Sequence, residues 1–490
     1  MTQGVAVVSA RLEDLLIDLR IAGLDWADAS QPLGLVDLRA CPADIRLGPL
    51  PPFPLIGMGD ASHPLARTLD AVVESPLSVE ALVRQIARAP RAAALAAQLL
   101  RGLEGLAPDR ALQFESLCYG LLQGSEEHAR WLTSRAALPR QSAAAGRVVV
   151  DRWGAELSIM LDRPLARNAI DRVMRDQLVE AFSIAAADPE VRSIKLRALG
   201  AVFSVGADLD EFGTTRDPAH PLAPTLDAVV QSPVSVDALV RQVARAPHAA
   251  AMAAQLLRGL EGLPIERALQ FESCCYGLLQ GSDEHARWLA TRAASPRQAA
   301  TAGRVVVDRR GAELTVMLDR PLARNAIDRV MRDQLGEAFR VAAADREVRS
   351  IKLRARGAVF SMGGDFDEFG TTRDPVTAHL IRSRSLPALA IGARADILDA
   401  HVQGACVGAG LEIAAFAARM TASADAWFQL PELSLGLIPG AGGCVSVPRR
   451  IGRQRTLLMI LSGRRINAQT ALRWGLIDAI RDTPREQHGD

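Results

Sequence analysis

Two Gly-rich stretches near the C-terminal end decide the fold: QGACVGAGLEIAAFAA at residues 403–418 and FQLPELSLGLIPGAGG at residues 428–443. In the first, three glycines lie between a strand-like segment and an apolar helix, so the turn leaves backbone N–H groups without helical acceptors. Such groups can bind an oxygen that becomes negatively charged. Each stretch also holds one carboxylate among apolar neighbours, Glu412 and Glu432. Burial there would raise their pKa values toward general acid or base use.

A third segment, SMGGDF at residues 361–366, ends a strand-like run in a turn of small residues. Such a turn can supply another backbone N–H to the same oxygen. In isolation the pattern is also typical of an ordinary turn. Glu412 and Glu432 are likewise each compatible with an ordinary acid in a loop or near a helix N-terminus. The functional interpretation therefore depends on all three segments together.

The residues around these segments alternate between the period of a strand and that of a helix. Asn325, with Asp328 three residues later, predicts a helix N-cap with a capping box, and that helix runs to about Ala344. Further helices are predicted after Gly410 and from Gln454 onward. Strands are predicted at 305–307, 314–318, 350–355, 389–391, 400–403 and near Met420. Strands that alternate with helices indicate an α/β fold.

The segment before this core has the pattern of a helical module. Ser235 predicts the N-cap of a helix that Pro247 ends, because apolar residues follow at spacings of three and four. Three more helices are predicted at 249–259, 265–279 and 283–294. We therefore expect α-helical modules N-terminal to the α/β core.

The chain contains a long internal repeat. FGTTRDP begins at residues 212 and 369, and HPLA begins at residues 63 and 220, with the same offset. Aligned at that offset, the two copies are identical at roughly four positions in five, which indicates a tandem duplication of a domain-sized piece. The predicted division is an appendage (1–62), helical module copy 1 (63–146), an incomplete half-core (147–219), helical module copy 2 (220–303) and the full core (304–490).

Composition excludes several function classes. Lys plus Arg is 57 and Asp plus Glu is 56, so the net charge is +1. A charge this close to zero does not indicate binding to nucleic acid or to an anionic membrane. The only lysines are Lys195 and Lys352, and neither lies in a Gly-Lys-Ser/Thr phosphate loop, which excludes a P-loop ATPase. The six cysteines have neither metal-site nor disulfide spacing, so we expect no metal and a reducing compartment.

We also expect a soluble, cytoplasmic protein. Arg11, Glu13 and Asp14 lie where a signal peptide would need an apolar stretch. The most apolar segment, residues 402–420, is interrupted by Glu412 and makes a poor membrane span.

Five phrases across residues 304–480 together resemble the crotonase (enoyl-CoA hydratase/isomerase) superfamily. They are LDRPLARNA from residue 318, FSMGGD from 360, VGAGLE from 407, LPELSLGLIPGAGG from 430 and ALRWGLID from 471. Each phrase is weak alone, but they occur in the family's order and at similar separations. The helical stretches 63–135 and 220–292 lie outside the resemblance.

The resemblance implies a spiral of ββα units that binds an acyl-CoA thioester as substrate, with no cofactor, in a homo-oligomer. By position, Gly364 and Ala409 would supply the two N–H groups of the oxyanion hole, although the family usually has Gly where Ala409 lies. Glu412 and Glu432 occupy the positions of the two glutamates of hydratases. Having both favours an enoyl-CoA hydratase, a lyase of fatty acid metabolism, with Glu412 activating water and Glu432 protonating C2.

Two departures from the family give further expectations. Ala207 is the copy 1 counterpart of the oxyanion residue Gly364, but no second half follows it, so copy 1 should form no site alone and should either sit loosely attached or pair with another chain. The sequence stops at Asp490, soon after the ALRWGLID phrase, where family members continue into helices that cover the site. We therefore expect the helical module at 220–292 to pack over the core in their place.

Three functions remain open on sequence alone. The first is hydration of a 2-enoyl-CoA. The second keeps the enzyme but changes the reaction to double-bond isomerisation or to the cofactor-independent oxygenation found in this superfamily. The third is a catalytically impaired duplicate. The acyl chain, the oligomeric state and the origin of the duplication are not determined by these residues.

Overall fold

The structure, a computed structural model, divides the chain into two compact units, Met1–Glu127 with Pro224–Asp490 and His128–Ala223. The structure describes residues 15–17, 31–42, 45, 47, 50–73, 78–136, 144–211, 236–293, 302–372 and 374–481. The predictions that concern Arg11, Ser235 and Asp490 lie outside these described residues.

The strands of the larger unit form three sheets. Its strands are β1 (Gly34–Asp37), β2 (Leu55–Met58), β3 (Ala71–Val73), β7 (Arg304–Arg310), β8 (Glu313–Asp319), β9 (Ser350–Ala355), β10 (Leu398–Val402), β11 (Ala405–Val407), β12 (Arg419–Ala422), β13 (Trp427–Gln429), β14 (Ile466–Asn467) and β15 (Ala479–Ile480). The smaller unit has β4 (Arg147–Trp153), β5 (Glu156–Asp162) and β6 (Ser193–Ala198).

Helices alternate with the strands of the core, and further helices lie N-terminal to it. The helices are α1 (Val79–Arg88), α2 (Pro90–Leu103), α3 (Pro108–Gln123), α4 (Glu126–Ala136), α5 (Arg172–Ala187), α6 (Val236–Arg245), α7 (Pro247–Gly259), α8 (Ile265–Gln280), α9 (Asp283–Ala293), α10 (Arg329–Ala344), α11 (Pro375–Ser385), α12 (Ala388–Gly392), α13 (Ala409–Ala414), α14 (Gly443–Ile451), α15 (Arg453–Ser462) and α16 (Ala468–Trp474). None of the described helices has the length and apolar character that crossing a bilayer requires.

The core is built from successive ββα units. β7–β8–α10, β10–β11–α13 and β12–β13–α14 occur in this order along the chain, with β9, α11 and α12 between the first and the second. The main sheet has the order β15-β12-β10-β9-β8-β7, and β7 pairs antiparallel with β8 while the other pairs are parallel. A second sheet has the order β11-β13-β14. The predicted α/β class with a crotonase-like spiral is confirmed.

Helical module copy 2 packs directly on this core, as expected. His285 Nδ1 lies 2.9 Å from the Leu435 carbonyl oxygen, and Arg449 donates to the Leu263 carbonyl at 2.7 Å. Buried residues of α7 and α8 belong to the same apolar cluster as the strands of the main sheet. The apolar stripe of the module is therefore covered by the core and not by solvent.

Helices α2 and α3 of copy 1 also pack here, so this part of copy 1 is not loosely attached, contrary to the expectation. The Phe114 and Phe271 rings stack at a centroid distance of 4.1 Å, so α3 contacts α8. Gln98 Oε1 lies 3.0 Å from His379 Nε2, so α2 contacts α11. Helices α3 and α8 are equivalent in the repeat, and burying the apolar faces of both outweighs leaving one free.

The N-terminal appendage forms a small parallel sheet with the order β1-β2-β3. Strand β3 of this sheet lies beyond residue 62, outside the predicted appendage. Asp70, just before β3, pairs with Arg101 of α2 at 2.5 Å. The sheet is thereby tied to helical module copy 1, and the five-part division of the chain stays a prediction.

Two local predictions in the core were wrong. Asp328 is itself the N-cap of α10 and accepts from Met331 N, whereas Asn325 has φ 51° and accepts from Arg320 N through Oδ1. Residues 389–391 were predicted as a strand but lie in α12. A short apolar run has no period that separates strand from helix, so tertiary packing decides.

The smaller unit repeats the first part of the core without its continuation. β4 and β5 form the antiparallel hairpin, β6 pairs parallel with β5, and α5 packs on them. Within this unit β6 is an edge strand, because the sheet order is β4-β5-β6.

Candidate active site

The turn between β11 and α13 presents one free backbone N–H. Gly408 has φ 47°, and a Cβ built on it would lie 2.6 Å from Glu432 Oε1, so only glycine fits. Ala409 follows as the first residue of α13 and does not have a positive φ, so its methyl group adds no backbone strain. Among the described residues no acceptor takes the Ala409 N–H. The departure from the family's glycine therefore keeps the donor.

The turn after Phe360 lies against β11 and brings a second N–H beside the first. Ser361 N donates to the Ala405 carbonyl at 3.0 Å, and Val407 N donates to the Ser361 carbonyl at 3.0 Å. A Cβ built on Gly363 would lie 3.7 Å from Ala409 N. The next residue, Gly364, also has no acceptor for its N–H within the described parts of the chain. Gly364 and Ala409 thus lie on adjoining turns.

Glu412 lies in the first turn of α13 and is 2% exposed. Its Oε2 accepts from Ala441 N at 2.5 Å and from Gly443 N at 2.8 Å. Burial raises the pKa of Glu412 to about 7, and the two backbone donors oppose that shift. A carboxyl group with this pKa can exchange a proton near neutral pH.

Glu432 begins a 3-10 turn, Glu432–Leu435, and is also buried. Its Oε1 lies against the backbone of Gly408, while its buried Oε2 has no hydrogen-bond partner in the described structure. Burial, followed by the charge of Glu412, raises the pKa of Glu432 well above its ordinary value. Glu432 therefore keeps its proton to a higher pH than an exposed glutamate does.

A third buried carboxyl, Glu272 of α8, was not predicted from the sequence. It is fully buried and accepts from Gly442 N at 2.7 Å and from Cys444 N at 2.8 Å. Burial, followed by the charge of Glu412, raises the pKa of Glu272 to about 8. The available signal was an acid inside an otherwise apolar helical stripe, since α8 lies outside the family phrases.

Two further side chains, Tyr276 of α8 and Arg382 of α11, border the site. Tyr276 packs on Gly440, where an added Cβ would lie 2.2 Å from the ring. The Arg382 guanidinium carbon lies 4.0 Å from the centre of that ring, and Arg382 donates to the Gly440 carbonyl. The charge of Arg382 lowers the pKa of both Glu272 and Glu412, against the effect of burial. One cation therefore offsets part of the negative charge of this cluster.

Ala207, the copy 1 counterpart, has the local backbone of Gly364 but not its surroundings. Ile170 N donates to the Gly206 carbonyl at 2.8 Å, as Ile327 N does to that of Gly363. A Cβ built on Gly206 would meet nothing within 4 Å, whereas one on Gly363 would lie 3.1 Å from the Val407 carbonyl. Within its own unit, Ala207 therefore has no second turn beside it.

Metal ligation has no candidate cluster in the described part of the chain, where no three His, Cys, Asp or Glu side chains converge suitably. Glu412 and Glu272 instead accept backbone N–H groups, as described above.

Comparison with known proteins gives one family. The model of enoyl-CoA hydratase/isomerase matches residues 155–246 and 309–488, more than half of the chain. The 2,3-dehydroadipyl-CoA hydratase of Escherichia coli (strain K12) is 32% identical over 176 residues, 36% of this chain and 68% of that protein. A probable enoyl-CoA hydratase of Rhizobium meliloti (strain 1021) has the same identity and coverage. Among solved structures, Pseudomonas aeruginosa AtuE is 30% identical over 36% of this chain and 70% of its own, with a TM-score of 0.34.

The matched segments leave out residues 247–308. Glu272 and Tyr276 lie in that unmatched part, whereas Glu412, Glu432 and Gly364 lie in the matched part.

Proposed function

This chain is an enzyme of the enoyl-CoA hydratase/isomerase family, and on that premise we propose that it adds water across the 2,3 double bond of an enoyl-CoA thioester. The observation that carries the proposal is the pair of buried glutamates, Glu412 and Glu432, beside two backbone N–H groups without acceptors. Hydration needs a base, an acid and a site for negative charge, and this arrangement offers all three.

Gly364 and Ala409 hold the thioester oxygen in this mechanism. Addition of water at C3 moves an electron pair through the double bond to that oxygen and forms an enolate. Fixed N–H donors stabilise the enolate without having to reorganise during the reaction. Loss of one such donor typically lowers the rate by about 10²–10³.

The surroundings of the two glutamates favour different roles. Glu412, with a pKa of about 7, is partly ionised at neutral pH and takes a proton from the attacking water. Burial and the charge of Glu412 raise the pKa of Glu432, which favours its protonated form, and Glu432 gives its proton to C2. In the concerted limit both glutamates hold the same water, and the proton that Glu432 loses is replaced by the one that Glu412 gained.

The test is the loss of absorbance of the conjugated enoyl thioester when the protein is added. We expect the absorbance to fall at a rate proportional to protein concentration, with no oxygen consumed. An unchanged spectrum with several enoyl chain lengths would contradict the proposal.

A second candidate is cofactor-independent oxygenation, because helical module copy 2 supplies Glu272 and Tyr276 to the buried cluster. A helical extension is also found in some oxygenases of the superfamily. Oxygen uptake with an acyl-CoA substrate, measured with an electrode, would favour this reaction over hydration.

A further inference from the structure

Two carboxyl groups share one short backbone segment at the start of α14. Residues 441–444 present four successive N–H groups at a helix N-terminus, where no helical acceptor exists. Glu412 takes the first and third, from Ala441 and Gly443, and Glu272 takes the second and fourth. The conformation of this segment therefore depends on both acids at once, and one of them comes from the helical module.

Resting on the proposed function, we propose that Glu272 is a positioning residue for Glu412. Glu272 fixes segment 441–444, and its charge is coupled to that of Glu412. Removal of Glu272 frees two N–H groups of the segment. The other two N–H groups orient Glu412, so its carboxylate loses its fixed position. A displacement of this kind lowers kcat more than it changes KM, because the base acts in the transition state.

The two acids repel each other when both are ionised. Burial, followed by the charge of Glu412, raises the pKa of Glu272 to about 8, whereas the pKa of Glu412 is about 7. Glu412 therefore ionises first, while Glu272 is still neutral, and Glu272 ionises at higher pH beside a charged partner. The other titratable or charged groups that interact with the pair are Glu432, Tyr276, Cys275, Cys444 and Arg382, and His379 hydrogen-bonds to the adjacent Ser273.

The repeat supplies a matched control. Glu115 lies in the same sequence, LQFES, in α3 of copy 1, but its side chain is exposed. Glu115→Gln therefore makes the same chemical change outside the buried cluster.

The test uses full-length Glu272→Gln, Glu272→Asp and Glu115→Gln. For Glu272→Gln we expect kcat to fall roughly tenfold with little change in KM, and the step in kcat/KM near pH 8, where Glu272 ionises, to disappear. Glu272→Asp keeps an ionisable carboxyl and should recover much of kcat and that step. Glu115→Gln should match the unchanged protein.

Two results would overturn the proposal. One is a Glu272→Gln variant with unchanged kcat and pH profile. The other is lower activity with the step near pH 8 retained, which would leave Glu272 a helix cap only. If Glu272→Gln does not fold, Glu272→Ala, which also lacks the carboxyl, decides the question by the same two measurements.

Infrared difference titration of the carboxyl C=O band separates this proposal from the proposed function. Carboxyl steps near pH 7 and near pH 8 should appear in the unchanged protein, and the step near pH 8 should disappear in Glu272→Gln, even if no enoyl thioester is hydrated. Unchanged steps in that variant would contradict the coupling, whatever the reaction.

Discussion

The hexapeptide SIKLRA occurs twice in this molecule with opposite outcomes. In β9 (residues 350–355) Ile351 and Leu353 are fully buried, whereas in β6 (residues 193–198) Ile194 is 41% and Leu196 43% exposed. β9 lies between β8 and β10, while β6 ends its sheet. The residues are identical, so their burial is decided by the second half of the core, which follows copy 2 alone.

The same contrast holds for the chemistry. Glu272 is buried against segment 441–444, whereas Glu115 in the equivalent position of α3 is exposed. Gly363 adjoins β11, whereas Gly206 has no neighbour there within 4 Å. A first half therefore carries the local conformation of the site, and the second half supplies the residues that surround and bury it.

The largest effect should come from changing the two glutamates that only the second half supplies. Glu412→Gln and Glu432→Gln should each lower kcat by about 10³ with a smaller change in KM, because each group acts mainly in the transition state. Steady-state kinetics on an enoyl-CoA measures this. Near-normal turnover in either variant would exclude the two-glutamate mechanism.

The next effect is on stability and uses the repeated hexapeptide directly. Leu353→Ala should lower the free energy of unfolding by about 2–5 kcal/mol, because it leaves a cavity in a packed sheet. Leu196→Ala, the same change at the exposed edge, should cost within about 0.5 kcal/mol. Urea denaturation of both variants checks this. Equal losses would mean that β6 is covered in solution.

A smaller effect should follow from a pair of glycine changes. Gly363→Ala and Gly206→Ala impose the same backbone strain, since φ is 94° and 92°. Gly363→Ala alone also brings a Cβ to 3.1 Å from the Val407 carbonyl, so it displaces the Gly364 N–H. We expect kcat to fall by about 10–100-fold for Gly363→Ala, with no change for Gly206→Ala. A similar loss in both variants would assign the copy 1 turn a role in the reaction.

The smallest effect is the pH dependence of the unchanged enzyme. Glu412 must be ionised to accept a proton, and its pKa is about 7. We therefore expect kcat/KM to fall as the pH drops below about 7, approaching tenfold per unit. A profile that is flat from pH 5 to 7 would indicate that Glu412 is not the base.

Local sequence predicted much of the core and of helical module copy 2. The helices at 249–259 and 265–279 were predicted because apolar spacing sets which face is buried. Asn325 was wrongly predicted as the N-cap of α10. The residue that caps this helix is Asp328, three positions later. Glu272 could not be predicted, because its role depends on a segment about 170 residues away in the chain that no local pattern connects to it.

The most direct test of the central claim is hydration in ¹⁸O-labelled water by the full chain, compared with Glu412→Gln and Glu432→Gln. The account predicts that the unchanged protein gives a 3-hydroxyacyl-CoA labelled at C3 without oxygen uptake, and that both variants give almost none. An unlabelled product, oxygen consumption, or equal labelling in the variants would contradict it.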